Sequence, residues 1–250
     1  MRLLPLRRRS RPKARYGVDS ITTIRKLAVT GAAALAIGAF VPPFHAGAYR
    51  ISLIGPTLLA IGSLSLLFSL SLLAFALRGK FNIRDRMIGM IKWRGDEAVL
   101  DIRTGRGLVA IAAAKRLRTG TVTAIDNWPS GSESVNTLET VQRNIDIEGV
   151  HERVELRSGD ASDIAFVDNS FDAVFCLGGL DSLENSQARE LACGEIARVL
   201  KPRGTAIIAG FSTAESCAKA LQAAGLKVDG PRSYANAAYT ALSIVKAWKR

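Results

Sequence analysis

The chain alternates between two hydrophobic regimes. Between Lys26 and Arg50 lie 23 residues without formal charge, and between Arg50 and Arg78 another 27, ISLIGPTLLAIGSLSLLFSLSLLAFAL. About 20 apolar residues cross the hydrocarbon core of a bilayer, so each run is long enough for a helical span. Pro42 and Pro43 interrupt the first run and predict a helix over about 25–41 followed by a turn, while the second predicts a span over about 51–77. Beyond residue 95 short apolar runs alternate with helical stretches. Strands are predicted over Ala98–Ile102, Thr121–Asp126, Arg153–Ser158, Phe171–Leu177, Gly204–Phe211, Leu226–Gly230 and Tyr239–Lys246, and helices over about 107–118, 134–148, 184–200 and 213–224. That alternation predicts an α/β domain on a mostly parallel sheet.

Charge divides the chain at the same place. Of 34 Lys plus Arg and 22 Asp plus Glu in all, residues 1–94 carry a net +14 and residues 95–250 a net −2. The predicted α/β domain therefore lacks the basic surface with which phosphates are neutralised, and no nucleic-acid partner is expected. Basic residues flank the apolar pair on its outer ends, Arg2 to Lys26 before it and Arg78, Lys80, Arg84 and Arg86 after it, with only Arg50 between the runs. The positive-inside rule then predicts a multi-pass, in–out–in hairpin in the cytoplasmic (inner) membrane, with the C-terminal domain in the cytoplasm. Gly31, Ala34 and Gly38 on one span and Ser65 and Ser69 on the other are small enough for close helix approach.

Two other readings of the apolar pair stand beside this one: a secretory leader with Ala46-Gly47-Ala48 as its cleavage site, and two helices buried in a soluble core. The Arg-rich leader reads as a topology signal or as a segment that also binds anionic head groups. The expected organisation is a basic leader over 1–26, two transmembrane helices within 27–77, a connector over 78–95 and a catalytic domain over 96–250. Three cysteines, Cys176, Cys193 and Cys217, suit neither a disulfide framework nor a metal site and are expected in the core.

The chemistry begins where the first predicted strand runs into a glycine turn, Asp101-Ile102-Arg103-Thr104-Gly105-Arg106-Gly107. Glycine between strand and helix lets the backbone approach a ligand. Gly105-x-Gly107-x-x-Ala110, with Asp126 about 20 residues on, also fits the dinucleotide fingerprint. Asp101 argues against that reading, because a pyrophosphate gains nothing from a carboxylate there. Ser158-Gly159-Asp160-Ala161, Asn169-Ser170-Phe171-Asp172 and Arg198-Val199-Leu200-Lys201-Pro202-Arg203-Gly204 follow in order.

With these motifs, residues 95–250 resemble the class I S-adenosylmethionine-dependent methyltransferases, in particular the ubiquinone/menaquinone-biosynthesis type. The connector residues Gly79-Lys80-Phe81, Arg84-Asp85-Arg86-Met87 and Trp93-Arg94-Gly95-Asp96-Glu97 resemble a bacterial subgroup with two N-terminal spans. The resemblance implies a Rossmann-like class I methyltransferase fold, a seven-stranded, mostly parallel sheet whose last strand runs antiparallel, preceded here by the transmembrane hairpin. It implies S-adenosylmethionine as cofactor and a small-molecule acceptor, a lipophilic one being the kind that anchoring favours. Carried over position by position, Gly105 and Gly107 lie against the methionine part, Asp101 near its amino group, and Asp126 at the ribose hydroxyls. Asn127 and Trp128 line the adenine side, Asp160 and the Ala161 N–H meet the adenine amino group, and Leu177 and Gly178 face the methyl group and substrate.

Two departures keep alternatives open. Arg103 stands where the family's glycine motif has its first glycine; it either fills part of the pocket, pairs with the cofactor carboxylate, or points to solvent. Leu177-Gly178-Gly179-Leu180-Asp181 replaces the subgroup's His-Asn pair, which makes Asp181 a candidate general base or a helix cap. These substitutions motivate the rival of a catalytically degenerate, membrane-tethered scaffold. Tyr16-Gly17-Val18-Asp19, ahead of the first span, is short enough in sequence from it to fold over the cleft, a point the sequence leaves open.

Overall fold

In this computed structural model, residues 13–17, 21–46, 49–51, 53–128, 136–234 and 242–250 are described. The arginine-rich run 1–12, Val18, Asp19, residues 47–48 of the cleavage-like motif and the first three residues of the predicted last strand lie outside them.

Helix α1 (Ile21–Phe40) ends before Pro42 and Pro43, where the chain turns through a short hairpin, β1 (Phe44–Ala46) and β2 (Tyr49–Ile51). Helix α2 (Ile54–Ala74) returns against it. The two pack through facing glycines: a Cβ at Gly31 would stand 3.0 Å from the Gly62 carbonyl oxygen, and one at Gly38 would stand 2.9 Å from that of Gly55. Ser65 Oγ donates to the Leu27 carbonyl at 2.9 Å and Ser69 Oγ to that of Ile24 at 3.0 Å, so both hydroxyls bond across the helix pair. The outward faces carry Val29, Ile37, Leu64, Leu67 and Leu70 exposed. Both helices are long and apolar enough to cross a membrane by length and composition.

The boundary expected at 77/78 is not an end of helix. Helix α2 continues through a π-helical turn, Phe75–Gly79, into α3 (Lys80–Gly89), so span and connector form one rod. Buried Ile83, Met87 and Ile88 on α3 fix that rod to the sheet.

The sheet contains β3 (Ala98–Ile102), β4 (Thr121–Asp126), β5 (Val154–Ser158), β6 (Phe171–Leu177), β7 (Leu200–Gly210), β8 (Lys227–Tyr234) and β9 (Leu242–Trp248), in the order β5-β4-β3-β6-β7-β9-β8. All neighbours pair in parallel except β9, which is antiparallel to both β7 and β8, so the reversed last strand is as expected. Side chains alternate between two cores. Val99, Ala173, Phe175 and Ile207 face α3, α4 (Leu108–Ala114) and α5 (Leu138–Glu148), whereas Leu100, Val174, Cys176 and Ile208 face α6 (Ser186–Val199) and α7 (Ala214–Ala223). The three cysteines are free and buried in the second core. Asp172 and Asp168 brace the outside: Asp172 accepts from the Ala98 N–H and Lys201, and Asp168 pairs with Arg198.

Candidate ligand site

The carboxyl ends of β3, β4, β6 and β7 meet above the sheet, where ligands of open α/β sheets bind. They enclose a cavity of about 550 Å³, within the usual range of small-molecule sites. Its lining includes Asp101, Arg103, Gly105, Asp126, Asn127, Trp128, Leu177 and Gly178 among the residues singled out from sequence.

Asp101, next to last in β3, is 1% exposed. Thr104 Oγ1 donates to its Oδ2 at 2.6 Å and the Ala110 N–H at 2.9 Å. Both bonds fall on one oxygen, so Asp101 ties the glycine turn to the first turn of α4 and leaves Oδ1 for a ligand. Burial pushes its carboxyl up to about 7, against the pull of those two hydrogen bonds. Gly105 and Gly107 take φ of 57° and 79°, left-handed values that glycine adopts without strain. A Cβ at Gly107 would stand 2.9 Å from Val141 Cγ2, so the turn also needs glycine for space.

Asp126 closes the other side of the turn. Its Oδ2 accepts from the Gly105 N–H at 2.7 Å and its Oδ1 from the Asn127 N–H at 2.8 Å, which leaves one lone pair on each oxygen. Trp128 Nε1 donates to the Gly105 carbonyl at 3.4 Å. Leu177 and Gly178 end β6, with the Gly178 N–H held by the Ala209 carbonyl at 2.7 Å.

Arg103 adopts φ 57°, the conformation that suits a glycine at that place. Its Nη2 donates to Ser182 Oγ at 2.9 Å, in the 3₁₀ turn Leu180–Ser182. A Cβ at Gly179 would overlap the Arg103 Cβ, so glycine at that position makes room for this arginine. Arg103 forms part of the cavity wall, and the 550 Å³ remain with its side chain in place.

Four sequence-named residues are outside the lining: Gly107, which shapes the turn beneath it, and Asp160, Ala161 and Asp181. Asp160 turns Oδ1 back onto the Ser162 N–H at 2.7 Å and hydroxyl at 2.6 Å, Ala161 is buried, and neither is in the cavity lining. Asp181 is also outside it. Its two oxygens accept from the N–H groups of Phe211, Ser212 and Thr213 and from the hydroxyls of Ser212 and Thr213, so the carboxylate organises the loop from β7 into α7. It caps the entry to a helix distant in sequence, not the one it begins.

The lining also contains residues to which the sequence assigned no ligand contact: Tyr16, Phe75, Lys80, Arg106, Ser182, Phe211 and Leu242 among them. Phe211, one residue past the end of β7, had a signal in its place at a carboxyl edge. Tyr16 lies in the segment whose folding over the cleft the sequence left open, and Lys80 in the quoted connector motif, to which no contact was assigned; Phe75, inside the second apolar run, had no signal. Four aromatic rings and two carboxylates suit a ligand with cationic groups, and the Arg103 guanidinium suits its anionic end. This donor set fits the zwitterionic S-adenosylmethionine.

A family model described as a methyltransferase domain matches residues 100–208. The ubiquinone/menaquinone biosynthesis C-methyltransferase of Geotalea daltonii is 31% identical over 124 residues, 49% of each chain. The demethylmenaquinone methyltransferase of Lactiplantibacillus plantarum is 35% identical over 120 residues, 48% of this chain and 47% of that one. The chain spans about half the length of the curated relatives it matches. Among solved structures, a SAM-dependent methyltransferase from Aquifex aeolicus superposes with TM-score 0.53 at 18% identity, covering 66% of this chain and 89% of its own. The [4+2]-cyclase SpnF superposes with TM-score 0.58 at 18% identity, covering 95% and 96%. At such identities these two carry the fold alone.

Proposed function

We propose that the chain is a class I S-adenosylmethionine-dependent methyltransferase, on the methyltransferase-domain match over residues 100–208, and that it transfers a methyl group from S-adenosylmethionine to a small lipophilic acceptor at the cytoplasmic face of a membrane. The observation that carries this reading is the cavity at the strand ends, where Asp101, the Gly105–Gly107 turn and Asp126 converge around space for a ligand. The cofactor, when bound, supplies a methyl group activated by a positively charged sulfur. The chain's residues provide position. Asp101 Oδ1 accepts from the ammonium group, Arg103 and Ser182 meet the carboxylate, and the free lone pairs of Asp126 accept from the ribose hydroxyls. Asn127 and Trp128 hold the adenine side, and Leu177 and Gly178 bound the methyl end.

No general base is needed for this reading, since methyl transfer depends chiefly on in-line alignment of donor and acceptor. The two apolar helices, and the names of the quinone-pathway relatives, support a lipophilic acceptor. The transmembrane hairpin over 27–77, with the leader over 1–26 and the domain over 96–250 on the cytoplasmic side, is part of the same proposal.

Calorimetric titration of S-adenosylmethionine into the full chain in detergent, with NAD as control, tests it. The unaltered chain should bind S-adenosylmethionine and not NAD, and Arg103→Gly should weaken binding about tenfold by removing one charge-assisted contact. Binding that appears only in Arg103→Gly, or in neither, would sink the proposal and favour the tethered-scaffold reading.

A further inference from the structure

The cavity has a wall that the methyltransferase motifs do not supply. Arg15, Tyr16 and Gly17 precede the first apolar helix yet lie across the site, and Tyr16 lines the cavity. Their attachment is specific. The side-chain amide of Asn144, on α5 and 2% exposed, pairs with the Arg15 peptide in both directions: the Arg15 N–H donates to Oδ1 at 2.8 Å, and Nδ2 donates to the Arg15 carbonyl at 3.2 Å. The same Nδ2 donates to the Arg106 carbonyl at 3.0 Å, so one buried amide holds both the segment and the glycine turn.

From the other side, Lys80 Nζ donates to the carbonyls of Tyr16 at 2.9 Å and Gly17 at 2.6 Å, and Lys80 is 5% exposed. Burying an ammonium is costly unless acceptors surround it, and the docked segment supplies two of them through these carbonyls. Tyr16 itself donates to Glu148 at 3.2 Å and packs edge-on against Phe81 with ring centroids 5.7 Å apart. Gly17 lies against the Arg106 guanidinium, where a Cβ would overlap it.

We propose that Tyr16 is a ligand-contacting wall of this cavity and that Lys80 and Asn144 are positioning residues that hold it there, so the segment ahead of the first apolar helix is part of the site. This rests on the reading of the cavity as an S-adenosylmethionine site. α1 begins at Ile21, four positions after Gly17, so docking of the segment limits where the helical hairpin can be placed relative to the site.

The test uses the full chain in detergent and two readouts. In stopped-flow fluorescence, S-adenosylmethionine should leave Tyr16→Ala, Lys80→Met and Asn144→Ala about tenfold faster than it leaves the unaltered chain, with association little changed, the size expected for losing one or two buried contacts. Tyr16→Phe, which keeps the ring and loses only the Glu148 bond, should stay within about twofold. Limited trypsin digestion after Arg15, followed by mass spectrometry, should be slow in the unaltered chain and Tyr16→Phe, and faster in Lys80→Met and Asn144→Ala. Unchanged dissociation in the three variants overturns the proposal, as does rapid cleavage after Arg15 in the unaltered chain. If the unaltered chain fails to bind the cofactor while the trypsin pattern holds, the cofactor reading fails and with it the ligand-wall role of Tyr16, whereas the positioning roles of Lys80 and Asn144 stand.

Discussion

At the scale of residues, Asp101 makes the sharpest prediction. Its folded-state carboxyl titrates near 7, whereas an unfolded aspartate titrates near its usual acidic value, so between the two the folded chain holds the extra proton. Stability without ligand therefore falls as pH rises through that window. Affinity for a cationic ligand moves the other way, because only the ionised carboxylate attracts an ammonium group. Calorimetric titrations from about pH 5.5 to about pH 8.5 should show S-adenosylmethionine affinity rising by up to about tenfold per unit below 7 and levelling above it. Asp101→Asn should bind more weakly and flatten the profile; an unaltered slope in that variant would separate Asp101 from the ligand. The buried cysteines, by contrast, are unsuited to thiolate chemistry where burial dominates: it pushes the Cys176 thiol well above its ordinary value.

At the scale of elements, the telling comparison is between two acids that begin similarly in sequence. Asp101, near the end of β3, lines the cavity and takes both of its hydrogen bonds on one oxygen; Asp181, in the 3₁₀ turn after β6, spends both oxygens on the loop from β7 to α7. Asp181→Ala leaves three N–H groups without their acceptor and should destabilise the chain by about 2–3 kcal/mol in urea unfolding. Cofactor affinity per folded molecule should change little, and a large loss of affinity with unchanged stability would return Asp181 to the catalytic role. The rod from Ile54 to Gly89 shows how an element boundary is decided by packing. Charge begins at Arg78, which suggested that the span ended there. The helix nevertheless continues, because Ile83, Met87 and Ile88 find an apolar sheet face to cover. A π-turn at such a junction is a common feature of functional sites, and Phe75 within it lines the cavity while packing edge-on against Phe211 at 5.2 Å.

At the scale of the whole molecule, the hairpin geometry bears on topology. Lys80 follows the second long helix and reaches the carbonyl of Tyr16, which precedes the first, at 2.9 Å. Both outer ends of the hairpin therefore lie on the side of the domain, as an in–out–in arrangement requires. In inside-out membrane vesicles, protease should remove the C-terminal domain, and in right-side-out vesicles it should leave the domain whole. Protection in the first and cleavage in the second would reverse the proposed orientation. Release of the chain by alkaline carbonate would remove the membrane reading altogether.

How much of this the sequence determined follows from the range of the interactions involved. Period-two apolar runs and a glycine turn are local signals. They were enough for the core strands: Ala98–Ile102, Thr121–Asp126 and Phe171–Leu177 stand where their patterns lie, and Asp101, Gly105 and Asp126 meet because a strand end and a glycine turn fix them within a few residues. The small residues Gly31, Gly38, Ser65 and Ser69 were legible as a helix contact for the same reason. Tertiary structure decided the rest. Whether Arg103 blocks, bonds or points away depended on the room beside Gly179, 76 positions on. Whether Asp181 faces ligand or loop depended on where the Phe211–Thr213 N–H groups arrive from another strand. That Tyr16, Phe75 and Lys80 join the cavity depended on how a helical rod continues past its apolar stretch and lies against the sheet. These are contacts between segments far apart in the chain, held by buried hydrogen bonds and close packing, and no local pattern of hydrophobic and polar positions encodes which distant partner will fill them.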